Sequence, residues 1–296
     1  MYVLMGKCYV LIIYFFLEVG AFLNQFFLVI TLSLFLFTHT VSANDKCVSE
    51  LGSIKNGLSK DSVTKLCSKA AKLRQCASAQ GTPIYHFDYP ARQKHARNIL
   101  VFALVHGDEL ESGSIALRWM ERLSNIDSRS RWRVIPILNP DGLKNKTRTN
   151  ANGVDLNRNF PSKDWNGNAL THWKKRKRKD PRRYPGPQAA SEVETKCAMD
   201  HLEDFDPDFV ISVHTPYGVL DFDGPSVSFP KFAHLPWVRL GTYPGSLGRY
   251  MWKDKNVPVL TIELKNDELL REIDQIDLLQ DISGTVAIRA HKKLNK

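Results

Sequence analysis

Residues 98–123 read NILVFALVHGDELESGSIALRWMERL, and this stretch decides the fold. Asn98–Val105 is short, almost wholly apolar and closed by a turn at Gly107, which is the pattern of a buried strand. From Leu110 to Leu123 the apolar residues fall at helical spacing, so an amphipathic helix follows the strand. Working outward, Arg131–Leu138 (RWRVIPIL), Asp208–Val213 (DFVISV) and Val257–Leu264 (VPVLTIEL) repeat the strand pattern. Gln188–Phe205 and Asp267–Leu294 read as further helices, and Lys163–Pro187, with its basic run and prolines, as an exposed loop. Strands alternating with helices predict a layered α/β domain.

The chain has 296 residues, 43% hydrophobic and 24% charged. That suffices for one good-sized core and excludes a disordered polymer. Residues 1–43 differ from the rest: CYVLIIYFFL (8–17) and AFLNQFFLVITLSLFLF (21–37) precede small residues at Val41 and Ala43. This reads as a secretory signal cleaved after Ala43, the alternative being an uncleaved membrane anchor through residues 8–37. Either way the domain is exported. Residues 44–81 form a lysine-rich helical preface with a weak period at Val63, Leu66, Ala70 and Leu73, and 82–296 is the catalytic-sized domain.

The formal charge is +10, but Lys174–Arg183 (KKRKRKDPRR) alone contributes +7. The excess is therefore one local patch, which argues against a nucleic-acid role. A solvated loop is its simplest reading; contact with an anionic wall polymer or phospholipid is the alternative. Outside the export segment stand Cys47, Cys67, Cys76 and Cys197, with no Cys-x-x-Cys pair to suggest a zinc cluster. Of the three complete pairings, a Cys47–Cys67 bridge tying down the preface is preferred.

The first strand runs towards His106, the third towards His214, and the fourth carries Glu263. In open α/β sheets, ligands bind at the carboxyl ends of strands. In HGDE (106–109), His106 and Glu109 are capable zinc ligands, although an acidic helix N-terminus explains the glutamate equally well in isolation. His214 supplies a third ligand, and a catalytic zinc takes three protein ligands with one position open. Glu263, in an apolar strand where an idle charge is costly, suits a general base beside metal-activated water.

HGDE, NPDG (139–142), GVDLNRNFP (153–161), the strand-end His214 and TIEL (261–264) together resemble the zinc carboxypeptidase family. The resemblance spans Thr82–Leu264. It implies a three-layer α/β/α sandwich with a mixed, mainly parallel twisted sheet of about eight strands, and one zinc ion held by His106, Glu109 and His214. It further implies Glu263 as base, Asn157 and Arg158 on the substrate's terminal carboxylate, and Arg148 on the oxyanion. Arg148 has a second reading, as the partner of another substrate carboxylate. Tyr243 in GTYPGSLGRY (241–250) is a candidate mobile tyrosine or a turn residue.

YPGSLG, VPVLTIEL and GPQAASEVET (186–195) most resemble the murein peptide amidase branch. Its members cut γ-D-glutamate from meso-diaminopimelate, which implies a peptidoglycan-derived substrate and suits a periplasmic or inner-membrane-anchored protein of a Gram-negative bacterium. A carboxypeptidase for ordinary peptide C-termini and a non-catalytic cell-wall-binding protein are the alternatives.

Overall fold

The computed structural model describes residues 43–54, 58–265 and 272–295. The export segment, and with it the anchor reading, lies outside them. Among the described residues no helix is long and apolar enough to cross a membrane.

The elements run α1 (Ala43–Gly52), α2 (Lys60–Cys67), β1 (Phe87–Tyr89), β2 (Asn98–Phe102), α3 (Leu110–Leu123), β3 (Arg131–Ile135), α4 (Pro140–Asn145), α5 (Trp165–Arg176), α6 (Val193–Phe205), β4 (Phe209–His214), β5 (Val219–Asp223), β6 (Val259–Glu263) and α7 (Ile273–Leu294). The sheet order is β1-β3-β2-β4-β6-β5. β3, β2, β4 and β6 run parallel, and β1 and β5 pair antiparallel at the edges. Six strands are thus present among the described residues, against about eight expected.

Period-two alternation sorts each strand between two cores. Ile99 and Val101 of β2 join Phe209, Ile211 and Val213 of β4 in one cluster, packed with Trp119 of α3 and Leu279 and Val286 of α7. Leu100 and Phe102 point the other way, into a cluster with Ala198, Leu202 and Phe205 of α6. Helices therefore cover both faces, giving the three-layer α/β/α sandwich. The preface is not peripheral: Leu51, Val63 and Leu66 share the first cluster.

Three local expectations change. β2 stops at Phe102, because Ala103–Val105 turn away while Leu138 and Asn139 still donate to the Ala103 and Leu104 carbonyls. β3 likewise ends at Ile135 rather than Leu138. The stretch expected as a loop holds α5, whose Trp165 is buried and donates its indole N–H to the Arg158 carbonyl at 2.9 Å. The basic residues that suggested a loop belong to the last turn of that helix and the segment after it.

Cys47–Cys67 forms as preferred, joining α1 to α2, and Cys76–Cys197 ties the segment before β1 to α6.

Candidate active site

The chain leaves β2 in one direction to form β3 and reaches β4 on the other side, so a crevice opens at the carboxyl ends of β2 and β4. The turn 104–109 fills it. Ser112 in the first turn of α3 donates to the Glu109 carbonyl at 2.7 Å and accepts from Leu104 N–H at 3.0 Å, which fixes this turn from behind. A Cβ on Gly107 would lie 1.9 Å from the Gly142 carbonyl carbon, so only glycine lets HGDE seat against NPDG. His214 and Glu263 are register partners on β4 and β6.

These placements converge. His106 Nδ1 lies 2.8 Å from Glu109 Oε1, His214 Nδ1 lies 2.9 Å from Glu109 Oε2, and the two Nδ1 atoms are 3.1 Å apart. All eight side chains singled out in the sequence, His106, Glu109, Arg148, Asn157, Arg158, His214, Tyr243 and Glu263, line one cavity of about 520 Å³. A zinc carboxypeptidase family model matches residues 61–221.

The chain belongs to the zinc carboxypeptidase family. Its relatives include murein peptide amidase A of Escherichia coli K12, 33% identical over 196 residues that cover 63% of this chain and 78% of that protein. The namesake from Vibrio campbellii is 32% identical over 200 residues, covering 63% and 76%. Among solved structures, murein-tripeptide amidase MpaA from E. coli O157 aligns with a TM-score of 0.52 at 27% identity, over 70% of this chain and 90% of that one. Thrombin activatable fibrinolysis inhibitor shares the fold alone, with a TM-score of 0.61 at 18% identity over 83% and 76%. Family membership makes the chain a peptidase that uses one zinc ion.

The donor set fits that ion as this zinc carboxypeptidase presents it. His106 Nε2 faces Asp155 Oδ1 at 3.1 Å and His214 Nε2 faces Ser212 Oγ at 2.8 Å. If both outer nitrogens carry the proton, both Nδ1 lone pairs and a carboxylate converge with no hydrogen between them, an arrangement that a cation satisfies. Ligands of a tetrahedral zinc lie about 3.3 Å from one another, a few tenths of an ångström wider than these contacts.

The charges around the set reinforce it. Burial works against ionised Glu109, yet the two imidazoles outweigh burial and hold its carboxyl well below the usual range. Burial and Arg148 press His106 towards neutrality, but Glu109 and Asp155 prevail and raise its pKa. At His214 burial prevails and lowers it. Glu263 is pushed up to about 7, chiefly by burial and then by Glu109, while the Tyr217 backbone N–H acts the other way. Its Oε2 is buried with no hydrogen-bond partner among the described residues.

Sequence reasoning missed Asp155, although GVDLNRNFP contains it. This fully buried carboxylate binds His106 through Oδ1 and accepts from Arg148 Nε through Oδ2 at 3.1 Å. Arg148 also donates to Glu109 at 3.2 Å, so its guanidinium is anchored beside the metal set. The signal was a carboxylate two residues before Asn157, too common a spacing to single out. Asn157 Oδ1 accepts from Leu247 N–H at 2.9 Å and fastens the 243–248 loop to the site. Arg158 Cζ lies 4.7 Å from the centre of the Tyr243 ring.

Proposed function

We propose that this zinc carboxypeptidase hydrolyses murein peptides at the bond between γ-D-glutamate and meso-diaminopimelate, on the outer side of the inner membrane of a Gram-negative bacterium. The observation that carries the reading is the convergence of His106, Glu109, His214 and Glu263 on one strongly charged cavity. The named murein peptide amidases among the relatives support the substrate class. Two disulfides support an oxidising compartment, where such bonds persist.

In this mechanism His106, Glu109 and His214 would hold the metal, His106 and His214 through their inward-facing imidazole nitrogens and Glu109 through its carboxylate. When bound, zinc would supply Lewis acidity for the scissile carbonyl and for water. Glu263 takes the proton of the attacking water and returns it to the leaving amine, and a pKa near neutrality suits both transfers. Arg148, oriented by Asp155, directs its guanidinium at the charge that develops on the carbonyl oxygen. Arg158 and Asn157 receive the free carboxylate of the leaving residue, Arg158 by a charge-assisted pair. Tyr243, stacked beside Arg158, closes that side of the pocket.

Incubating the zinc-loaded protein with the tripeptide L-Ala-γ-D-Glu-meso-diaminopimelate and with a panel of ordinary peptides tests the reading. Release of free meso-diaminopimelate is expected. Cleavage of the ordinary peptides alone would show a general carboxypeptidase instead, and binding to sacculi without product would show a wall-binding protein. Mass measurement of the native N-terminus tests cleavage after Ala43.

A further inference from the structure

The basic run is part of the cavity wall. Of the eight basic residues in 174–183, six are exposed, whereas Lys177 and Arg183 are half-buried and line the cavity. Arg182 lines it too, but is exposed and paired with Asp108 at 2.7 Å. Lys177 Nζ lies 5.1 Å from the centre of the Tyr243 ring, the ring that Arg158 also approaches. Three cations, Arg158, Lys177 and Arg183, therefore surround one corner of the cavity.

Their counter-charges do not balance. Asp180 is the carboxylate within reach, 3.5 Å from Arg183 and itself partly exposed. Lys177 forms no ion pair among the described residues. Asp155 is already committed to His106 and Arg148. Burial first, and then the neighbouring charges of Arg183 and Arg158, press the pKa of Lys177 below its ordinary value, with Tyr217 and Asp180 acting the other way. Clustered like charges at a concave surface are stabilised by an anionic ligand. One carboxylate, held by Arg158, leaves Lys177 without an ion pair and Arg183 with only the partly exposed Asp180.

We propose that Lys177 and Arg183 bind a second carboxylate on the leaving residue, beside the one that Arg158 holds, so that the basic segment selects a dicarboxylic amino acid. This rests on the murein reading and deepens it. Meso-diaminopimelate carries a carboxylate at each end of a seven-carbon chain, about 7 Å apart when extended. Arg148, the other candidate for such a group, is held by Glu109 and Asp155 and points its charge at the reaction centre.

The test compares two murein tripeptides that end in meso-diaminopimelate or in L-lysine, which differs only in lacking the second carboxylate. The wild type is expected to favour the diaminopimelate peptide in kcat/KM by roughly 10- to 100-fold, the scale of hydrogen bonds to a charged group. Lys177→Met and Arg183→Gln should each bring the diaminopimelate rate down towards the lysine rate. Lys174→Ala and Lys175→Ala, both exposed, should leave the preference intact. Equal wild-type rates on the two peptides, or variants that lower both in proportion, overturn the second-carboxylate site while leaving the murein reading in place. A wild type that cleaves ordinary peptides and neither tripeptide overturns the murein reading, and this proposal with it.

Discussion

Among the described residues, two buried triads each bring three metal-capable side chains within 4.8 Å: His106, Glu109 and His214, and Cys76, Cys197 and His201. By proximity alone they are equivalent. In the second, both sulfurs are spent on a disulfide, and burial, with His86 and Arg133 adding to it, pushes His201 down to about 3. Its Nδ1 has no hydrogen-bond partner among the described residues, and His201 is not among the residues lining the candidate active-site cavity. In the first, Asp155 and Ser212 face the outer nitrogens of the two imidazoles, the inner nitrogens converge with Glu109, and the cavity leads to them. Closeness of donors makes a cluster; orientation of the outer nitrogens and access from solvent make a site.

The contrast breaks most sharply on metal content. His106→Ala is expected to lose stoichiometric zinc and hydrolysis together, whereas replacing Cys76 and Cys197 by alanine should leave zinc content, read by atomic emission, at one per chain. Glu263→Gln comes next: zinc stays, and kcat falls by roughly 10²- to 10⁴-fold, the usual scale for a general base. Unchanged kcat in the zinc-loaded variant would remove Glu263 from the mechanism. Asp155→Asn, which weakens the grip on His106, should lower zinc affinity by roughly 10- to 100-fold in a chelator competition.

Acid should act through the same residue. Glu263 works deprotonated, so kcat/KM falls as pH drops through its pKa. Without metal that value is about 7. Zinc offsets the Glu109 charge that helps raise it, so the acidic limb of the loaded enzyme should lie lower. A limb above 7 would contradict this assignment.

The smallest effect on hydrolysis belongs to the second triad. Losing Cys76–Cys197 should cost about 2–5 kcal/mol of stability, measured by urea unfolding, with kcat/KM nearly unchanged. The Cys47–Cys67 bridge closes a chain separation of 20 rather than 121 residues, so its loss should cost about 1–2 kcal/mol less on the loop-closure account.

Legibility in the sequence divides along the same line. β2, β4 and β6 announced themselves because both faces are buried and the apolar run is continuous. β1 is three residues long, and β5 (VLDFD) carries Asp221 and Asp223, a residue type depleted in strands, so neither edge left a clear pattern. The candidate metal set was legible because HGDE, NPDG, GVDLNRNFP, His214 and TIEL occur together and in order. Asp155 acts through His106, and Lys177 and Arg183 act only by facing inward while their neighbours face out; neither property is written in local spacing.

Gly107 sits against the backbone of Gly142 and Leu143 with no room for a methyl group. The loop that carries His106 and Glu109 and the short helix capped by Asn139 are therefore cast as one piece. A bulkier side chain at that seam would push HGDE away from NPDG and carry His106 and Glu109 with it. The segment bearing Lys177 and Arg183 walls the same cavity and is free of that constraint.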